Sequence, residues 1–90
     1  MSDLFEALAA PARRILLDEL RGRNGQTLFE LCTRLTMNHG LSISRQAISQ
    51  HLAVLEEVGL VKTRRAGRCK YHDFDPSPLK AIAERWPISP

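Results

Sequence analysis

The stretch SRQAISQHLAVLEEVGLVKTRRAGRCKY, Ser44 to Tyr71, changes character halfway along. Up to Gly59 apolar residues recur at helical spacing, and beyond it cations crowd around Gly67. Ser44 is a favourable N-cap, Ile48, Leu52, Leu55 and Val58 fall on one side, and Gly59 supplies a C-terminal stop. With that side turned to a core, Gln46, Ser49, Gln50 and Ala53 occupy the opposite arc. The outward face of this helix is therefore small and hydrogen-bonding rather than charged.

After Gly59 the β-compatible residues Val61, Thr63, Tyr71 and Phe74 lie on both sides of Ala66-Gly67, which predicts a two-stranded hairpin turning there. Lys62, Arg64, Arg65, Arg68 and Lys70 all fall on this segment with no acid among them. The basic excess is thus concentrated on one short element, and a polyanion is the natural partner.

Working outward, NHGLSI predicts a corner before Ser44. It is preceded by TLFELCTRL, in which Thr27 and Glu30 have capping-box spacing and Leu28, Leu31 and Leu35 form a stripe closing near Met37. PARRILLDELRG predicts an earlier helix with Ile15, Leu16 and Leu20 on one face, opened by Pro11 and stopped by Gly22 and Gly25. SDLFEALAAP predicts a short first helix capped by Asp3, with Leu4, Phe5 and Leu8 apolar. At the far end Ser77 and Pro78 are read as N-cap and first residue of a last helix, with Leu79, Ile82, Ala83 and Trp86 as its stripe and Pro87 as its stop.

Ninety residues leave room for one domain, taken as 1–90, and 43% hydrophobic with 26% charged residues is ordinary globular composition. The net charge is +3. No run approaches the roughly 18 apolar residues of a membrane span, and the N-terminus lacks a basic region followed by an apolar one, so a soluble, cytoplasmic protein is expected. Cys32 and Cys69 lack zinc or redox spacing, and two cysteines are too few for a disulfide framework. No nucleophile, base and orienting group stand at recognisable spacing, so neither an enzyme nor a cofactor is expected.

Helix, corner, helix and basic hairpin is the order of a winged helix-turn-helix, a mainly α fold with a two-stranded β-hairpin. The major groove of double-stranded DNA admits one helix, and its base edges pair with amides and hydroxyls. Gln46, Ser49 and Gln50 carry that chemistry, with Ser44 and Arg45 at the helix entry near either bases or phosphates. Lys62, Arg64, Arg65, Arg68 and Lys70 would add affinity through counterion release. Few stacking aromatics are present, essentially Tyr71 and Phe74, which disfavours single strands and RNA.

RQAISQHLAVLEEVGLV followed by TRRAGRCKYH resembles the recognition helix and wing of ArsR-type transcriptional regulators, and LAAPARRILLDEL resembles their N-terminal signature. The resemblance implies a homodimer that binds an operator of two-fold symmetry, usually to repress, and releases it when an effector arrives. It also implies pairing through the terminal helices, about 3–10 and 78–86. Their stripes of Leu4, Phe5, Leu8, Leu79, Ile82 and Trp86 are more apolar surface than so small a chain readily buries alone.

Many members of that family sense metals through Cys-x-Cys on the third helix or acids and histidines on the last. Here Arg34 stands where the second thiolate belongs, and the last helix offers only Glu84. No metal site is therefore expected. Cys32 is read as a buried, inert thiol, Cys69 as a thiol near cations, and His51 as a packed, hydrogen-bonded side chain. His39 and His72 are given no role. Two other functions remain as rivals: a metal- or thiol-responsive sensor, and a winged module that binds an acidic protein.

Overall fold

A computed structural model describes residues 3–88. Residues 1–2 and 89–90 of the expected domain lie outside the described residues. The order is α1 (Leu4–Ala9), α2 (Pro11–Gly22), α3 (Leu28–His39), α4 (Arg45–Glu57), β1 (Val61–Ala66), β2 (Cys69–Phe74), a 3-10 turn (Ser77–Leu79) and α5 (Lys80–Arg85). This is the mainly α fold with one antiparallel hairpin expected from the sequence, a winged helix-turn-helix.

Local chemistry sets most of the boundaries. Asp3 Oδ1 accepts from the Glu6 amide at 2.7 Å and opens α1. Pro11 sits in the first turn of α2, where its missing N–H leaves no helix bond unmade. Thr27 and Glu30 complete a reciprocal capping box on α3, each taking the other's backbone N–H. That helix runs to His39, two residues past the expected end, and stops at Gly40. Ser44 Oγ accepts from the Ala47 amide at 3.0 Å and opens α4.

The four central elements meet in one core. Leu16 and Leu20 of α2, Leu31 and Leu35 of α3, Ile48 and Leu55 of α4, and Leu60 and Val61 at the entry to β1 are fully buried. Fully burying a leucine side chain is worth about 1.5–3 kcal/mol, so this cluster is what holds α4 at its angle to the rest. Leu41 and Ile43 pack against it from the α3–α4 corner.

The hairpin turns one residue later than the sequence suggested. Ala66 pairs with Cys69, so the two-residue loop is Gly67-Arg68 rather than Ala66-Gly67. Gly67 has φ 62 while Arg68 does not, the pattern of a turn that needs glycine in its first central position. The last helix differs as well. Ser77 is not its cap: the Asp75 carboxylate accepts from Ser77 N at 3.0 Å and Ser77 Oγ at 2.7 Å, and the chain makes a 3-10 turn before α5 begins. Those two bonds hold the Asp75 carboxyl below its usual range.

The hairpin does not stand alone. Gln26, between α2 and α3, forms a single antiparallel bridge to His72 of β2. The His72 amide donates to Gln26 O at 2.8 Å, its Nδ1 lies 2.9 Å from the same oxygen, and the Gly25 amide donates to His72 O at 2.9 Å. Asn24 Oδ1 accepts from the Phe74 amide at 2.7 Å. The root of the wing is thereby sewn to the helical body.

Candidate nucleic-acid interface

Ile48, Leu52 and Leu55 bury one side of α4, and the pitch of the helix then decides what the other side shows. Ser44, Arg45, Gln46, Ser49, Gln50 and Ala53 are all exposed. The side chains of Gln46, Ser49 and Gln50 make no hydrogen bond to other described residues, so their carboxamides and hydroxyl are free for a ligand. The Ser44 hydroxyl oxygen is engaged as the helix cap and keeps its own O–H to donate.

The five cations of the wing are not equivalent. Arg64 Nε donates to Asp73 Oδ2 at 3.0 Å, and its guanidinium lies 5.1 Å from the centre of the Tyr71 ring, its partner across the hairpin. Lys70 Nζ lies 3.9 Å from Glu56 Oε2. Lys62 sits at the root, opposite Asp73 and near Asp75, whose carboxyl its charge helps keep ionised. Arg65 and Arg68 are exposed and have no acid partner among the described residues, and Arg45 at the entry of α4 has none either. Within the wing and α4, the guanidinium groups without an acid partner therefore lie near the hairpin tip and at the start of α4.

Glu56 lies in the last turn of α4, where an acid opposes the helix dipole, and the wing accounts for it. Its Oε1 accepts from Thr63 Oγ1 at 3.2 Å while Oε2 faces Lys70, so the carboxylate ties the end of α4 to both strands of the wing. Cys69, exposed on the same hairpin, neighbours the Tyr71 phenol and raises it above its usual 10.0.

Behind the exposed face of α4 the structure shows contacts that sequence reasoning missed. Glu19 of α2 is a buried carboxylate taking bonds from Gln26 Nε2 at 2.7 Å and Asn38 Nδ2 at 3.1 Å, with His39 Nε2 at 3.2 Å. Arg34, the residue at the lost thiolate position, stands 4.0 Å from it. Burial pushes the Glu19 carboxyl up, but these donors outweigh it and hold the group below its usual 4.5. A signal was available: on helical spacing Glu19 falls between Ile15 and Leu16, inside the apolar arc of α2. His39 and His72, given no role from sequence, both tie elements together.

His51 is half-buried on α4 with Nδ1 3.2 Å from Arg13 Nη1. The same guanidinium donates to Ala7 O at 2.7 Å and Glu6 O at 3.0 Å, so Arg13 joins the end of α1 to the middle of α4. Cys32 is half-buried against the core. No three His, Cys, Asp or Glu side chains converge as a metal site among the described residues, and no helix there is long and apolar enough to cross a membrane.

The terminal elements carry the remaining apolar surface. Leu4, Leu8 and Leu79 pack partly against the core, and Ile82 is half-buried. Phe5 and Trp86 are 45% and 57% exposed, with ring centroids 5.9 Å apart edge to face, and the Arg85 guanidinium lies 4.5 Å from the Trp86 ring centre.

Residues 8–64, from α1 to the wing, match a family model described as a helix-turn-helix domain. Over 83 residues the chain is 47% identical to the uncharacterized HTH-type transcriptional regulator YuzN of Bacillus subtilis, covering 92% of this chain and 90% of that protein. It is 28% identical over 80 residues to the transcriptional repressor SdpR of the same species, covering 89% and 81% of the two chains. An ArsR-like transcriptional regulator from Rhodococcus superposes with a TM-score of 0.78 at 35% identity, over 91% of this chain and 69% of the other. With a neutral polar helix set beside a cationic hairpin in that shared frame, the chain belongs to the ArsR-type helix-turn-helix transcriptional regulators, DNA-binding proteins rather than enzymes.

Proposed function

We propose that this regulator is a homodimeric repressor acting in the cytoplasm at an inverted-repeat operator. Gln46, Ser49 and Gln50 read base edges in the major groove, with Ser44 and Arg45 at the point of entry. Arg65 and Arg68 hold phosphates or enter the neighbouring minor groove, and Lys62, Arg64 and Lys70 add to the field from the wing's flank. The observation that carries this reading is the exposure of three unengaged hydrogen-bonding side chains on α4 beside arginines with no acid partner.

Pairing through α1 and α5, with Leu4, Phe5, Leu8, Leu79, Ile82 and Trp86 at the contact, supplies the symmetry. Exposed Phe5 and Trp86 and the likeness to ArsR-type proteins support it. A two-fold axis puts two reading helices about one DNA turn apart. The repressor SdpR among its relatives supports repression.

Selection of bound duplexes from a random pool tests the reading directly. A symmetric pair of half-sites about 10 base pairs apart is expected. Recovery of no common sequence, or of a single asymmetric site bound by a monomer, would overturn it.

A further inference from the structure

A groove of about 470 Å³ runs between α4, the start of α3 and the wing. One wall is the stripe Arg45, Ser49, Ala53 and Glu56 of α4, which recurs on the side of the helix nearest the hairpin. Buried Leu52 lies beneath it, and Phe29, 69% exposed, stands at its lip. A large aromatic ring left that open on the second residue of a helix has no packing role in the core, to which it does not belong.

The charge of the groove is one-sided. Arg45, Arg68 and Lys70 line it, and Glu56 is the only acid among its lining residues. Glu56 is already engaged by Thr63 and Lys70, while Arg45 and Arg68 have no acid partner among the described residues. An occupant would therefore meet the apolar and aromatic surface of Phe29, Leu52 and Ala53 together with two uncompensated guanidinium groups, Arg45 on α4 and Arg68 on the wing. Small-molecule sites are commonly of this size, mostly apolar with a few converging polar groups.

We infer that this groove binds a small amphipathic organic anion, an aromatic or branched carboxylate, and that its occupation excludes DNA. The apolar body lies against Phe29, Leu52 and Ala53, and the carboxylate pairs with Arg68 or Arg45. Ser49, Ala53 and Arg68 then face the ligand and not the duplex, so the two are competitors for one surface. By linkage each weakens the other equally. The second half of this inference rests on the DNA reading given above.

The test uses 1-naphthoate as probe, with 1-naphthylmethanol and inorganic phosphate as controls for the apolar body and the charge taken singly. Amide resonances are followed in the isotopically labelled protein, and displacement is followed on a duplex recovered by selection. Saturable shifts at Phe29, Ala53 and Cys69 are expected with naphthoate, together with release of duplex that neither control produces at the same concentration. Phe29→Ala, at an exposed position, should still bind duplex while losing naphthoate affinity by about tenfold and losing the displacement with it. Duplex binding with no shifts at those residues, or displacement by phosphate as strong as by naphthoate, overturns the inference and leaves the DNA reading standing. Failure to recover any bound duplex, with naphthoate still bound, instead overturns the DNA reading and the competition that depends on it.

Discussion

Arg13 and His51 are 38 positions apart in sequence, and their side chains meet at 3.2 Å. The guanidinium can only donate, so the imidazole must offer a lone pair and stay neutral. Burial, and then the Arg13 charge, lower the His51 pKa from its usual 6.5. The unfolded chain accordingly binds more protons than the folded one between the two values. Stability from this contact is complete above about pH 6.5 and falls as the pH drops towards the lowered folded value. Urea midpoints at about pH 7.5 and 5.5 should drop more in the parent than in His51→Gln, which has nothing to protonate. Equal drops would show that the contact carries no pH dependence.

Glu19 is held by Gln26, Asn38 and His39 inside the body. Glu19→Ala strips the shared acceptor from buried Gln26, and from Asn38 and His39 at the surface. A loss of about 3 kcal/mol in unfolding free energy is expected from denaturant curves. Because the folded carboxyl sits below 4.5, its contribution is present above that pH and lost as acid protonates it.

Reading and holding should separate on titration against a selected duplex. Gln50→Ala should relax preference at one base pair at a cost of about 1–3 kcal/mol and leave the salt dependence unaltered. Arg68→Ala should weaken all sequences alike and lower the salt slope by about one. The reverse assignment of effects would mean that the helix and hairpin exchange roles.

At the wing's flank, Glu56→Ala releases Lys70 and Thr63. The ion pair is partly exposed, so a stability change of only about 0.5 kcal/mol is expected by thermal melting. Freed Lys70 should instead steepen the salt dependence of duplex binding by about one counterion.

Gly67→Val places a β-branched side chain at a φ of 62 in the turn. Destabilisation of about 1–2 kcal/mol is expected, and a hairpin that melts without that loss would mean the turn is not strained by the substitution.

What the chain discloses by inspection is what neighbouring residues decide among themselves. The caps at Asp3, Thr27 with Glu30, and Ser44 are three-residue affairs, and each stands where the sequence puts it. The exposed arc of α4 follows from apolar spacing alone, which is why Gln46, Ser49 and Gln50 could be singled out. The turn slipped by one residue because strand register depends on a partner, here Ala66 against Cys69. Ser77 lost its capping role to Asp75 because a carboxylate two residues earlier reaches the same amide. Gln26 meeting His72, and Glu19 meeting Asn38 and His39, join residues 46, 19 and 20 positions apart, and no local pattern announces such meetings. The division of the wing's cations into paired and unpaired is likewise a fact of three dimensions.

With His72 pinned to Gln26, the lower part of the hairpin is fastened to the helical body. On the reading proposed above, the span from α4 to the fastened foot of the hairpin is set, and a duplex of the wrong local width must itself deform to be gripped at both points. Sequences that flex easily just outside each half-site would then be favoured although no side chain touches their bases.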